Sequence, residues 1–384
     1  MSIQRCHNIA DLRRRAQRRI PAPMFHYIDG GADDEGTMRR NTEAFDDFTL
    51  VPRYLVNVEQ IDTRRRVLGA DLALPLVLAP TGMSCLFHHE GELAVARAAA
   101  RAGVYYSLST VATKSIEDVA AVNDGPKMYQ LYILRDRGLN REFMTRAREA
   151  GYTALCLTVD VPVAGNRERD LRTGMALPPS LGLKGIFDIL TSPSWLWGFL
   201  RSPGFELANV AHRAEFKEQQ GSSVAQYIND QFDPTVTWED AEQMIAEWGG
   251  PFAIKGILSA DDAKRAAQIG ASAVIVSNHG GRQLDGAPGA LDCLREVVDA
   301  VGDQVEVILD GGIRRGTHML KALACGATAC MAGRAYLYGL AAGGEAGVTR
   351  ALDLMAAELQ RDMALLGACT LDDVDASCLR RSVC

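Results

Sequence analysis

Eight short apolar runs punctuate the chain: Leu74–Ala79, Val104–Leu108, Lys127–Tyr132, Ala154–Val159, Phe252–Lys255, Ala273–Val276, Val305–Leu309 and Thr328–Ala332. Each has the length of a strand, and between them lie helix-length segments rich in Ala, Arg and Glu. A strand that is apolar throughout, rather than at alternate positions, is covered on both faces, as in a parallel sheet flanked by helices. Eight β–α alternations predict an α/β fold closed into a (β/α)8 TIM barrel. An open doubly wound sheet is the alternative. No Gly-x-Gly-x-x-Gly follows the first run, which counts against a nicotinamide-binding Rossmann unit.

The flanking text predicts one domain over 1–384, with a lead-in at 1–73, the barrel at 74–340 and a helical segment with a tail at 341–384. Asp11–Arg19 is helix-compatible and basic, and Pro21-Ala-Pro23 breaks it. A short helix then runs towards the Gly30-Gly31 pair and turns Tyr27 inward. Between the fourth and fifth strands an insertion departs from the barrel at about 171–234. Its centre, Ser194-Trp-Leu-Trp-Gly-Phe-Leu200, is too short to span a bilayer, and its aromatic residues suit an interface at 192–205 with a membrane surface or with another subunit. From Gly343-Gly344 to Gly367 the spacing of Ala, Leu and Met is helical.

Composition narrows the choices. A chain of 384 residues that is 47% hydrophobic buries a large core, and a net charge of −7 without a basic stripe argues against nucleic acid. The nine cysteines are scattered with no Cys-x-x-Cys pair, which predicts reduced thiols in the cytoplasm and no metal site. The polar, basic start predicts no export signal.

In a barrel of this kind the reactive groups collect just after the strand ends. The sequence meets that demand: Pro80-Thr-Gly82, Ser109-Thr110, Gln130 with Tyr132, Thr158-Val-Asp160 with Arg167 beyond it, Lys255, Ser277-Asn-His-Gly-Gly-Arg282, Asp310-Gly-Gly-Ile-Arg314 and Gly333-Arg334. His279 can take up a proton near neutral pH, and Arg282 offers a planar fork that suits a carboxylate. Glycines followed by arginine at the last two strand ends make a phosphate site, so the ligand is expected to be phosphorylated. Flavin mononucleotide, with one phosphate and a ring across the barrel mouth, suits that layout better than a dinucleotide.

Taken together, Ser277-Asn-His-Gly-Gly-Arg-Gln283, Tyr129-Gln-Leu-Tyr132, Thr158-Val-Asp160, Asp310-Gly-Gly and Gly333-Arg334 resemble the FMN-dependent 2-hydroxy acid oxidase and dehydrogenase family over nearly the whole chain. Phe25-His-Tyr-Ile-Asp-Gly-Gly, Leu134-Arg-Asp-Arg-Gly138 and the Trp-Leu-Trp insertion are most similar to its bacterial respiratory L-lactate dehydrogenases, which pass electrons to quinone. The resemblance implies that His279 is the base and that Asp160 stabilises its imidazolium. It assigns Arg167 and Arg282 to the substrate carboxylate, and Tyr27 and Tyr132 to the carboxylate and hydroxyl. Lys255 would sit at the flavin N1 and O2 edge, and Pro80, Thr81, Gly82, Ser109, Gln130, Thr158, Ser277 and Asp310 around the flavin. Gly312, Arg314, Gly333 and Arg334 would lie at its phosphate.

Gly82 stands where many family oxidases have alanine, and Val111 where glycolate-specific members have tryptophan; both are expected to leave extra space. The implied activity is oxidation of an L-2-hydroxy acid, L-lactate foremost, to the 2-oxo acid, with electrons passed to a quinone. The implied setting is a homotetramer or larger assembly in the cytoplasm, peripheral on the inner face of the plasma membrane. The alternatives are an oxidase that makes hydrogen peroxide, a dehydrogenase for a larger acid such as mandelate, and a non-catalytic barrel binding protein.

Overall fold

The computed structural model describes residues 2–175, 183–201, 207–210 and 232–382. Much of the insertion expected at 171–234, and residues 202–205 of the interface expected at 192–205, lie outside the described residues. Strands β1 (Leu76–Leu78), β2 (Tyr105–Ser109), β3 (Lys127–Leu131) and β4 (Ala154–Thr158) pair in sequence order with β5 (Phe252–Ile257), β6 (Ala273–Val276), β7 (Glu306–Asp310) and β8 (Ala329–Ala332). Every pairing is parallel, and β8 closes on β1, with Cys330 opposite Leu76. Closure leaves the barrel without a free edge, which settles the choice against an open sheet. Most bounds agree with the apolar runs to within a residue or two. The first run shortens to Leu76–Leu78, preceded by a turn in which the Leu76 N–H donates to the Leu74 carbonyl at 2.7 Å.

Alternation along the strands sorts the side chains. Val77, Tyr105, Met128, Cys156, Ile275 and Met331 belong to one buried cluster, while Leu76, Leu78, Tyr106, Leu157, Val274 and Val276 belong to another shared with the helices. The hairpin Arg65–Val67 and Ala70–Leu72 closes the N-terminal end of the barrel. Its Val67, Leu68 and Leu72 join the first cluster, and the Leu68 N–H donates to the Glu306 carboxylate at the start of β7. One alternation beyond that apolar layer, towards the strands' C-terminal ends, the same face carries Ser109, Gln130, Thr158, Lys255, Ser277 and Asp310. The barrel is therefore greasy at one end and polar at the other.

Two lead-in helices help to frame the polar end. Helix α1 (Ile9–Gln17) is capped by Asn8, whose side chain accepts from the Asp11 N–H, and it buries Ile9, Leu12 and Ala16. Helix α2 (Ala22–Asp29) begins at Pro21 with Pro23 in its first turn, and it carries Tyr27. Its last residue, Asp29, is 6% exposed and receives Arg13 at 2.6 and 2.7 Å, Tyr338 at 2.8 Å and Arg169 at 3.1 Å. Burial works against the Asp29 charge, but the bonds from Arg13 and Tyr338 hold its carboxyl below the ordinary range. This one carboxylate ties α1 and α2 to α3 (Glu168–Thr173) after β4 and to the long C-terminal helix.

Within the insertion, α4 (Pro193–Arg201) divides the aromatic knot. Trp195 turns inward, stacks on Phe199 and donates its indole N–H to the Leu86 carbonyl at 2.8 Å. Trp197, Phe199 and Leu200 are 59%, 46% and 69% exposed. The C-terminal helix α5 (Arg334–Leu366) starts at the end of β8 and bends at Gly343 and Gly344, the glycine pair expected to begin a helix. No helix among the described residues is long and apolar enough to cross a membrane.

Candidate active site

The sixth strand end organises the site. His279 has φ +57°, unusual for a side-chain-bearing residue, and Gly280 and Gly281 continue in the left-handed region. The turn is held internally: the His279 N–H donates to Ser277 Oγ at 3.1 Å and the Gly281 N–H to Asn278 Oδ1 at 3.0 Å. Asn278 is in turn locked by Asn41 through bonds of 2.8 and 2.9 Å. A side chain at Gly281 would meet the Met38 backbone at 2.4 Å, so only glycine allows that approach.

His279 Nδ1 lies 2.8 Å from Asp160 Oδ1 at the end of β4. That leaves the other ring nitrogen, Nε2, to act on a substrate. Asp160 reaches this position because β5 bulges at Gly256, where a Cβ would stand 2.7 Å from that of Asp160. Burial raises the Asp160 pKa, but His279 and Lys255 more than offset this, and the carboxyl titrates below its ordinary range. It therefore remains charged at neutral pH and favours the imidazolium of its partner.

At the ends of β5, β6 and β7, Lys255, Ser277 and Asp310 close a buried triangle. Lys255 donates to Ser277 at 2.9 Å and pairs with Asp310 at 3.0 Å, while Ser277 donates to Asp310 at 2.8 Å. Burial alone would lower the Lys255 pKa, yet Asp310 and Asp160 carry it above the ordinary lysine range. Nearby, Ser109 donates to the Gln130 amide oxygen at 3.1 Å. The Gln130 Nε2 and the Thr158 hydroxyl are buried without a partner, as is Asp160 Oδ2. A ring bearing carbonyl oxygens and N–H groups would satisfy Gln130 and Thr158, so the residues present fit a flavin.

A cavity of about 620 Å³ opens above this floor, within the usual range for a ligand site. Its wall brings together Tyr27, Pro80, Thr81, Gly82, Tyr132, Arg167, Lys255, His279, Arg282, Asp310, Gly312, Arg314, Gly333 and Arg334. Ser109, Gln130, Thr158, Asp160 and Ser277 stand outside the wall, as partners of wall residues or as buried groups beneath it. Near the entrance, the guanidinium carbons of Arg282 and Arg167 lie 4.9 and 5.6 Å from the centre of the Tyr27 ring. Arg282 Nη1 is anchored on the carbonyls of Tyr27 and Gly30 at 2.7 and 3.0 Å. Tyr132 meets Phe232 edge-on at 5.1 Å, and burial pushes its phenol well up.

Several details refine the sequence reading. Arg334, expected at a phosphate, uses Nε, Nη1 and Nη2 on the carbonyls of Ile28, Gly280 and Gly30 at 3.0, 2.8 and 2.7 Å. Burial lowers its pKa to about 10. Arg314 has a carbonyl bond from Nη1 to Ile313 at 2.8 Å and stands over Tyr338. Thr81 Oγ1 lies 2.6 Å from the Tyr336 hydroxyl, which donates to the Ala79 carbonyl. Thr81 is thus the donor of that pair, and its oxygen keeps only acceptor capacity. Sequence reasoning missed Tyr336, Phe232, Leu171, Met175 and Asp170; of these only Asp170, three residues after Arg167 on a helical stretch, left a signal in spacing.

The expected extra space at Gly82 needs correction. A Cβ at Gly82 would lie 2.3 Å from Val111 Cγ2 and 2.9 Å from the Val111 carbonyl, so Val111 already fills the room that glycine leaves. Gly82→Ala is expected to cost about 1–3 kcal/mol through overpacking. A thermal melt of the holoprotein should show the loss, with part of it recovered in Gly82→Ala/Val111→Ala; an unchanged midpoint in the single variant would refute the contact.

Away from this site, ligand atoms of His88, His89 and Glu90 lie within 4.8 Å of one another. Glu90 is already paired with Arg97, and the Glu90 N–H faces His88 Nδ1 at 3.4 Å.

A barrel whose mouth sets a His–Asp pair beside two arginines, over a floor that suits a flavin, belongs to the class of flavin enzymes that act on small carboxylic acids. The chain is a member of the FMN-dependent dehydrogenase family, whose pattern it matches over residues 16–381, and FMN is its cofactor. It is 46% identical over 376 residues to an L-lactate oxidase of a Nostoc species, covering 97% of each chain. It is 41% identical over 375 residues to an L-lactate dehydrogenase of a Caulobacter species, covering 97% of this chain and 98% of the other. Among solved structures it resembles a monotopic membrane protein, (S)-mandelate dehydrogenase, with a TM-score of 0.93, 38% identity and coverage of 99% and 100%. Mandelate oxidase with (S)-4-hydroxymandelic acid follows the same fold, with a TM-score of 0.85, 38% identity and coverage of 99% and 100%.

Proposed function

We propose that the protein oxidises an L-2-hydroxy acid, L-lactate foremost, to the 2-oxo acid and passes the two electrons to a quinone. The observation that carries this reading is the His279–Asp160 pair at 2.8 Å in a wall that also holds Arg167 and Arg282. FMN supplies the two-electron acceptor. The two guanidinium groups hold the substrate carboxylate, and Tyr27 and Tyr132 orient the carboxylate and hydroxyl. His279 Nε2 takes up a substrate proton, and the charged Asp160 stabilises the resulting imidazolium. Lys255, kept protonated by Asp310, would offer positive charge to the bound flavin. Arg314, the Gly312 backbone and the strand-eight turn at Gly333 and Arg334 would hold its phosphate.

The relatives include an oxidase and dehydrogenases, so the acceptor is the point to test. Anaerobic mixing with L-lactate, L-mandelate and glycolate should bleach the flavin fastest with L-lactate, and a quinone should restore its colour. Peroxide formed in step with turnover in air would replace the quinone with oxygen. Reduction confined to mandelate would move the substrate to the larger acid.

The exposed Trp197, Phe199 and Leu200 of α4, with Phe187 and Leu190 beside them, support peripheral contact with the membrane where a quinone resides. The location proposed with this contact is the inner face of the plasma membrane. If the quinone is supplied in vesicles, the protein should sediment with them and Trp197→Ser should release it; no sedimentation by the parent protein would remove the membrane from the proposal. The exposed Tyr54, Leu55 and Val56 support self-association as a homotetramer or larger assembly.

A further inference from the structure

The charges at the cavity wall fall into groups. Lys255 with Asp310 forms a neutral pair, and His279 is partnered by Asp160. Arg314 and Arg334 are the pair assigned above to the phosphate, although Arg334 uses its donors on the carbonyls of Ile28, Gly280 and Gly30 and shares the Gly30 carbonyl with Arg282. The substrate end holds Arg167 and Arg282, which repel one another: after burial, Arg167 is the largest influence lowering the Arg282 pKa. A third charged side chain lines this end, Asp170.

Asp170 is placed by the chain that carries Arg167. Arg167 is the residue before α3, and the Asp170 N–H donates to its carbonyl at 3.0 Å in the first helical turn. Asp170 Oδ2 stands 3.7 Å from Arg167 Nη1, with the side chain 13% exposed. Burial raises the Asp170 pKa, and among the charges that work against this Arg282 acts most strongly, then Arg167, His26 and Arg169. Arg169 is itself occupied by Asp29 and Glu35. The remaining wall here is mostly apolar, with Phe87, Val161, Leu171, Met175 and Phe232; the side-chain amide nitrogens of its polar members Asn166 and Gln283 already bond Asp33 and the carbonyls of Asp160 and Val163.

We propose that Asp170 is a specificity-determining residue that restricts the site to 2-hydroxy monocarboxylates. With Arg314 and Arg334 balanced by the bound phosphate, the two guanidinium groups of Arg167 and Arg282 and one carboxylate leave a single positive charge, which one substrate carboxylate neutralises. A second carboxylate on the substrate finds Asp170 or desolvating apolar wall, and both raise its free energy. The idea rests on Arg167 and Arg282 being the carboxylate clamp, and it goes beyond that reading by assigning a role to the carboxylate beside them.

Binding and turnover test it separately on the FMN-loaded protein. Propionate and succinate, which resemble lactate and malate without the reacting hydroxyl, can be titrated by their perturbation of the flavin spectrum. The parent protein should bind succinate more weakly than propionate. Asp170→Asn should shift the succinate-to-propionate affinity ratio by about 10- to 100-fold towards succinate, the scale of removing a like-charge contact. The kcat/KM ratio for L-malate over L-lactate should rise by a similar factor, chiefly through KM, and Asp170→Glu should keep the parent order. Equal affinity for the two anions in the parent protein, or an unchanged ratio in Asp170→Asn, overturns the proposal. Failure of L-lactate to bleach the parent flavin would instead strike the clamp reading, and the anion titration would still judge Asp170.

Discussion

His279→Gln should give a yellow, FMN-loaded protein that L-lactate does not bleach. Glutamine can still hydrogen-bond Asp160 and a substrate hydroxyl, but it cannot accept a proton at neutral pH. General-base catalysis contributes about 10²–10⁴-fold, so the reduction rate should fall by at least the lower of these factors and approach the upper one. The flavin floor should survive, because Lys255, Ser277 and Asp310 hold one another through side-chain bonds that do not use the imidazole. Some loss of stability is expected, since position 279 sits at φ +57° and a histidine tolerates that region better than most residues. Stopped-flow absorbance under nitrogen separates the two effects: rapid bleaching would remove His279 from the chemistry, whereas a lost flavin spectrum would show only a damaged fold.

Lys255→Met should act on stability and on chemistry together. It removes the only cation in the buried triangle and leaves Asp310 facing Ser277 alone. Breaking a buried ion pair from one side costs about 3–5 kcal/mol, because the orphaned charge remains in low dielectric. The melting temperature and FMN retention should both drop, and the reduction potential of any flavin retained should fall, because the positive charge at its edge is gone. The sign of the pH effect follows from Asp310. Without Lys255 the buried Asp310 charge has lost its cation, so the penalty is full while the carboxylate is ionised and relaxes as acid protonates it. The melting-temperature gap between parent and variant should thus narrow as pH falls towards 4. In the parent, Lys255 titrates above the ordinary lysine range, so the pair's contribution persists through neutral pH and is lost only as pH rises past that shifted value. A gap that stays constant with pH would contradict the triangle.

The conversion of strand ends into a site explains how much was readable beforehand. Apolar runs such as Ala273–Val276 report a strand buried on both faces through composition alone, and the polar group that follows must then emerge at the barrel mouth. That local rule reaches His279, Lys255 and Asp310 without any knowledge of contacts. It does not reach Val111, which fills the space beside Gly82 from the next strand end, nor Arg334, whose donors meet carbonyls of Ile28, Gly30 and Gly280. The aromatic knot shows the same limit: one helix turns Trp195 into the core and exposes Trp197, and residue spacing without a known core direction cannot say which is which.

The sequence by itself therefore determined the barrel, the order of its strands, the flavin class and the candidates for handling the acid. These depend on local periodicity and on short motifs whose side chains the strand direction already aims. Only the tertiary structure decided that Asp170 shares the cavity with Arg282 as well as Arg167, that Gly256 lets Asp160 reach His279, and that Asp29 joins α1, α2, α3 and α5. Each of these is a contact between segments far apart in the chain, set by how the barrel closes, and closure is a property of the whole chain that no single stretch encodes.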